Sequence, residues 1–145
     1  MNTLVVCSNC EKINRVPLDK AAAAHPVCGG CKAKLPLHDG VQDVSGSGLV
    51  KLIRTADQPV VVDFWAEWCG PCKAFAPTFT AAARQLSGQF IFAKLNTEQH
   101  GQAAQTYQIR SIPTLIVFKN GAEVDRQSGA MPQAMFMQYL ARWKA

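Results

Sequence analysis

No stretch of this chain approaches the roughly 20 consecutive apolar residues that a helix needs to cross a bilayer. The opening MNTLVVCSNC lacks a basic n-region, and its apolar patch is only Leu4–Val6. A secretory signal peptide is therefore not expected, and the expected setting is the cytoplasm. There is no Lys/Arg run and no basic segment interleaved with aromatics. The net charge of +5 is spread thinly, with five Lys/Arg and four Asp/Glu in residues 1–44 and ten and six in residues 45–145. Solvated surface explains this pattern better than a nucleic-acid interface, so no nucleic-acid partner and no membrane partner are expected. Nothing repeats internally except a cysteine pair. Hydrophobic residues make up 48% and charged residues 17%, a balance compatible with a folded globular chain, here expected to be a monomer.

What the chain does have is six cysteines, all in Cys-x-x-Cys pairs: CSNC at 7–10, CGGC at 28–31 and CGPC at 69–72. In a reducing compartment such pairs serve as metal ligands or catalytic dithiols. Cys7, Cys10, Cys28 and Cys31 form C-x2-C-x17-C-x2-C. Four thiolates in two knuckles meet the tetrahedral preference of zinc, and the intervening loop lets the knuckles converge. Gly29 and Gly30 ease the second turn. Residues 1–40 bury too little to fold unaided, and metal binding would supply the missing energy. His25 and His38 are possible substitute ligands, and iron is an alternative in an all-thiolate site. Disulfides formed under oxidation, with zinc release as a switch, are a further possibility.

The texture changes at SGSG, residues 45–48. Residues 1–40 are read as a four-cysteine zinc-binding module, 41–48 as a linker or entry, and 49–145 as a second domain. Ser45 or Ser47 is an expected N-cap for a helix carrying Leu49, Leu52, Ile53 and Ala56. Val41–Val44 is a candidate short strand. PVVVDFWA (59–66) is an apolar run suited to a strand covered on both faces. A helix is expected over about 70–87, a strand at 89–95, a short helix at 98–108 and a strand at 114–118. Asn120-Gly121 marks a hairpin, and Phe136, Tyr139, Leu140 and Trp143 mark a final amphipathic helix. The order βαβαββα predicts an α/β fold: a mixed central sheet flanked by helices, its first crossovers parallel and its last two strands antiparallel. Ligands of open α/β sheets sit at the carboxyl ends of strands, where WCGPC stands.

Cys69 follows a strand and opens a helix. Free N–H groups and the helix dipole there favour a thiolate, and such settings bring a cysteine pKa from about 8.5 to about 7. Pro71 suits the first helical turn. Cys72, one turn in, is placed to resolve a mixed disulfide. The competing reading, a solitary metal half-site, needs ligands that only His100 offers nearby. Asp63 is a carboxylate within an apolar run. It is either an edge-strand surface residue or a buried acid with raised pKa, able to exchange protons with Cys72. Lys94, on the next strand, either pairs with Asp63 and tunes it or snorkels to the surface. Pro77 should kink the helix after CGPC. Pro113 opens a strand, and composition does not decide its isomer.

Together, DFWAEWCGPCK (63–73), Pro77, KLN (94–96), RSIPT (110–114), FKNG (118–121) and GA (129–130) resemble the thioredoxin family over about residues 45–145. Residues 1–40 resemble the zinc-binding extension of the bacterial second-thioredoxin subfamily. The resemblance implies a thioredoxin fold with a small zinc-ribbon-like module in front. It implies Cys69 as nucleophile, Cys72 as resolving thiol, Asp63 as buried acid, Lys94 as its neighbour and a cis Pro113. Trp68, Gly70, Pro71, Ile112, Pro113, Gly129 and Ala130 would form the surface that receives a substrate loop. It further implies oxidised protein substrates, a redox-active Cys69–Cys72 disulfide and recharging by an NADPH-dependent thioredoxin reductase. Ser111 stands where well-known thioredoxins have glycine. Two other functions compete: a zinc-dependent redox-sensing, adaptor or chaperone-like protein, and an oxidant or isomerase.

Overall fold

The computed structural model describes residues 2–18 and 26–144. A helical turn expected at Ala21–Ala24, and His25, lie outside the described residues. In chain order the elements are β1 (Asn2–Val6), β2 (Ile13–Pro17), β3 (Leu37–His38), β4 (Val41–Asp43), α1 (Gly46–Thr55), β5 (Val60–Trp65), α2 (Gly70–Gln85), β6 (Ile91–Asn96), α3 (Gly101–Thr106), β7 (Thr114–Lys119), β8 (Ala122–Ser128) and α4 (Gln133–Ala141). No helix among the described residues is long and apolar enough to cross a membrane.

Six strands form one sheet in the order β3-β4-β6-β5-β7-β8, and β1 pairs with β2 in a separate two-stranded sheet. The run at 59–66 becomes β5, buried along Val60–Phe64 between β6 and β7. The β5–α2–β6 crossover is parallel, as the sequence predicts, with Val60 opposite Ile91 and Trp65 opposite Asn96. The next connection departs from that expectation. β7 runs antiparallel to β5, with Thr114 opposite Phe64. Its helix α3 has six residues, about 9 Å of rise, whereas a six-residue strand spans about 20 Å. So short a helix does not return the chain along the sheet, and β7 starts at the end where β6 stops. That places Pro113 beside the start of α2.

Local signals act as expected elsewhere. The Ser45 hydroxyl caps α1 by accepting from Gly48 N–H at 3.0 Å. Asn120 and Gly121 both have positive φ, 53° and 81°, the requirement of a type I′ hairpin turn. Helix α2 runs through Pro77 to Gln85.

The sheet has two apolar faces. One packs Val60, Val62, Phe64, Ile91, Ala93 and Leu95 under Leu49, Leu52 and Ile53 of α1. The other packs Val61, Phe92, Leu115 and Val117 under Phe75 and Phe79 of α2 and Phe136 and Leu140 of α4. Leu4 and Val6 of β1 belong to the first of these clusters. Gly48 permits this, because a Cβ there would meet Val6 Cγ1 at 3.2 Å. The remaining side of the front segment closes over its own small cluster of Val5, Cys7, Val16, Cys28, Leu35 and Leu37.

Candidate functional site

Cys69 is the N-cap residue of α2, with extended backbone, and its sulfur accepts from Cys72 N–H at 3.2 Å. Gly70 and Pro71 fill the first helical turn. Proline costs nothing there because the first N–H groups of a helix have no intrahelical acceptor. Cys69 and Cys72 are joined as a disulfide with Cα atoms 5.2 Å apart. The sulfurs lie just beneath the surface, with the two residues 4% and 2% exposed. Neither cysteine takes part in a metal cluster among the described residues.

Ile112–Pro113 is a cis peptide. Cys69 Sγ stands 3.7 Å from the Ile112 carbonyl oxygen. Pro113 O accepts from Gly129 N–H at 2.8 Å, which ties the Gly129–Ala130 loop to the cis-proline loop. Thr114 Oγ1 donates to Ser111 O at 2.6 Å and sits 3.3 Å from Ser128 Oγ, bracing both loops. Trp68, 69% exposed, directly precedes Cys69 in the chain. Gly70, Pro71, Gly129 and Ala130 are exposed and Ile112 half-buried. The residues expected to receive a substrate loop thus come from three chain segments.

Asp63 is fully buried on β5, which is an interior strand and not an edge. Neither carboxylate oxygen has a hydrogen-bond partner among the described residues. Burial pushes its pKa up to about 7, against the opposing pull of Lys94. Lys94 is its register partner on β6, but the ammonium lies over the Trp65 ring, 4.4 Å from the centroid, instead of closing an ion pair. The aromatic face stabilises the cation without neutralising it. An acid with a pKa near neutrality can take up or give a proton at working pH.

The four front cysteines converge. Their sulfurs all lie within 4.8 Å of one another, with Cys7–Cys31 at 3.6 Å and Cys10–Cys28 at 3.5 Å. A tetrahedral ion with metal–sulfur bonds of about 2.3 Å separates its sulfurs by about 3.8 Å, so the cage has the size zinc requires. The two knuckles repeat one backbone pattern. Glu11 N–H bonds Cys7 O and Lys32 N–H bonds Cys28 O, at 2.9 and 3.0 Å. Glu11 and Lys32 both take positive φ, 62° and 66°. Asn9 N–H and Gly30 N–H point at the first sulfur of each knuckle, at 3.4 and 3.3 Å. The Asn14 amide adds a contact to Cys28 at 3.6 Å and the Asn9 amide one to Cys31 at 3.4 Å.

Such N–H groups stabilise thiolates. The backbone N–H of Cys31, with those of Gly30 and the Asn14 amide, lowers the Cys28 thiol to about 6 despite burial. The Asn9 amide lowers Cys31. Cys10 is relieved by Lys12 N–H, but the neighbouring Cys28 sulfur, burial and the other thiols push it up to about 11. The quartet thus shares protons unevenly, and a divalent cation displaces those that remain. His38 lies exposed on β3, and the four-sulfur cage is complete without it.

Three residues of this arrangement are not among the candidates picked out from the sequence. Asn9 and Asn14 support the sulfurs, and Gln42 ties β4 to β1. An Asn inside CSNC hints at N–H···S bonding. Nothing local marks Asn14 or Gln42.

Comparisons with known proteins agree with this geometry. The family described as Thioredoxin matches residues 40–142. The family described as Thioredoxin 2, N-terminal, a zinc ribbon, matches residues 6–33. The chain is 41% identical to Thioredoxin C-3 of Corynebacterium nephridii over 138 residues, covering 94% of this chain and 92% of that one. It is 43% identical to Thioredoxin 1 of a Nostoc species over 99 residues, covering 68% and 92%. It is 40% identical to the chloroplastic Thioredoxin M-type of Spinacia oleracea over 113 residues, covering 78% and 62%. Among solved structures, Malassezia sympodialis thioredoxin superposes with a TM-score of 0.66 at 33% identity, covering 72% of this chain and 91% of that one.

Proposed function

The chain belongs to the thioredoxin family and is a thiol-disulfide oxidoreductase, and we propose that it reduces protein disulfides through Cys69 and Cys72 and is recharged by an NADPH-dependent thioredoxin reductase. The observation that carries this reading is the Cys69 sulfur at the N-cap of α2, within 3.7 Å of the cis-proline loop.

In the reduced protein, the Cys69 thiolate attacks one sulfur of a substrate disulfide. A bond forms between Cys69 and that sulfur, and the second substrate sulfur leaves as a thiolate. Asp63, as a carboxylate, takes the Cys72 proton. The Cys72 thiolate then attacks Cys69 Sγ, forming the Cys69–Cys72 disulfide and releasing the substrate dithiol. Two electrons pass from the protein to the substrate, and the reductase restores them from NADPH. Lys94 tunes Asp63. Trp68, Gly70, Pro71, Ile112, Pro113, Gly129 and Ala130 receive the substrate segment, whose backbone adds to the cis-proline loop as a short strand.

Cys7, Cys10, Cys28 and Cys31 would hold one zinc ion, which supplies folding energy and no redox chemistry. The substrates are oxidised proteins in the cytoplasm. An insulin-reduction assay driven by dithiothreitol tests the reading. Cys69→Ser should abolish turnover, and full turnover in that variant would overturn it. A measured potential near −270 mV marks a reductant, and one near −120 mV an oxidant.

A further inference from the structure

Three charged residues lie in one row across three strands. Asp43 on β4 is the register partner of Lys94 on β6, and Lys94 is the register partner of Asp63 on β5. Register partners point to the same face of a sheet. The flanking residues identify that face. Phe92 of β6 and Val61 of β5, two positions before Lys94 and Asp63, both pack under α2 and α4, as does Val41 of β4, two positions before Asp43. The row therefore runs from an exposed acid, through a half-buried base, to a fully buried acid. Asp43 and Lys94 line one cavity of about 440 Å³ with Glu67, Trp65, His100 and Ser8, the last from the first cysteine knuckle. Asp43 is held in place by its own N–H, which bonds Pro36 O at 3.1 Å.

We propose that Asp43 is a positioning residue for Asp63, acting through Lys94. This rests on reading Asp63 as the proton acceptor for Cys72. Lys94 has an aspartate as register partner on the strand to either side, those strands lying about 4.8 Å away in the hydrogen-bonding direction, and it closes an ion pair with neither among the described residues. The charge of Asp43 draws the ammonium outward and also repels charge on Asp63. Both effects favour the protonated form of Asp63. Losing that charge frees the ammonium to lean inward and removes the repulsion, so both changes act in one direction. Glu67 and His100 are the other titratable residues lining the cavity of Asp43 and Lys94. The register partner of Asp63 on β7 is Leu115, and α2 and α4 cover this face of the sheet with Phe75, Phe79, Phe136 and Leu140, none of them charged.

The test is a carbon-13 NMR titration of the Asp63 carboxyl in the oxidised full chain. It compares wild type, Asp43→Asn, Lys94→Gln and the double variant, with Asp57→Asn as an exposed-acid control. His100→Gln is added to each, because that imidazole lines the same cavity as Asp43 and Lys94. Asp43→Asn should lower the Asp63 midpoint by about half a pKa unit, a roughly threefold fall in proton affinity. Lys94→Gln should raise it, and in that background the Asp43→Asn effect should fall to less than half. Asp43→Ser should reproduce Asp43→Asn, which guards against local misfolding. An unchanged midpoint in Asp43→Asn would overturn the proposal, and so would an equal shift with Lys94 absent. No turnover enters this readout, so it fails or stands apart from the insulin assay of Cys69→Ser.

Discussion

The side chain of Gln42 grips the backbone around Val6. Its Oε1 accepts from Val6 N–H at 3.0 Å and its Nε2 donates to Leu4 O at 2.7 Å. Gln42 is 1% exposed, so these two backbone groups have no water to fall back on. The amide thereby stands in for a neighbouring strand. It fastens the front segment to the redox-active domain at the place where Leu4 and Val6 enter the core of α1. Glu11 completes the attachment by accepting from the Ser47 hydroxyl, while Lys51 reaches Glu11 O at 3.3 Å.

Gln42→Leu should therefore destabilise the metal-loaded protein by about 2–4 kcal/mol, because two buried backbone groups lose their partners. Urea denaturation gives the value. A loss under about 0.5 kcal/mol, the size of an ordinary surface change, would contradict the attachment.

Metal removal should be felt beyond the first knuckles. Leu4 and Val6 are 5% and 3% exposed within the larger core, and burial of two such side chains stabilises by about 3–5 kcal/mol. Stripping the metal with a strong chelator should release one zinc per chain and lower the unfolding midpoint of the redox domain, read from Trp fluorescence. Release without any change in that midpoint would show the two parts to be energetically separate.

Asp63 makes stability depend on pH in a definite direction. Its pKa is raised from 3.8 to about 7 by burial, so the folded state holds a proton that the unfolded state has lost in that window. Stability contributed by this group is intact below pH 4 and falls as pH rises through 7. The shift of about three units corresponds to about 4 kcal/mol. Asp63→Asn should remove this loss, so the variant should gain on wild type by a few kcal/mol between pH 4 and pH 8. Parallel stability curves for the two proteins would contradict the buried-acid assignment.

Trp68 should act on substrate binding more than on chemistry. Truncating an exposed aromatic at a docking surface removes contact area but leaves the sulfurs in place. Trp68→Ala should raise KM for a protein disulfide about tenfold, a loss of about 1.4 kcal/mol, with little change in the rate toward a small disulfide. An equal loss for both substrates would place Trp68 in the chemistry instead.

Much of this was readable from residues alone. The spacing of the four front cysteines, the proline after Cys69, the carboxylate in an apolar run and the Asn120-Gly121 turn are local signals, and local geometry follows from them. Contacts that depend on long-range placement were not readable. Leu4–Val6 looks like a short apolar patch until α1 is seen above it. Gln42 is an ordinary polar residue until β1 arrives beside it. The antiparallel course of β7 follows from the shortness of α3, which the broader helical pattern at 98–108 concealed. The cis bond before Pro113 and the meeting of that loop with Gly129 were implied by the family resemblance and not by any local residue signal.

Which of the six sulfurs attacks a substrate is settled most directly by trapping. Cys72→Ser leaves the attacking thiol with no partner to resolve its product, so incubation with an oxidised protein should accumulate a mixed disulfide. Peptide mapping by mass spectrometry should place that bond on Cys69, with Cys7, Cys10, Cys28 and Cys31 unmodified. A bond mapped to any of the front four, or no adduct at all, would contradict the division of labour among the cysteines.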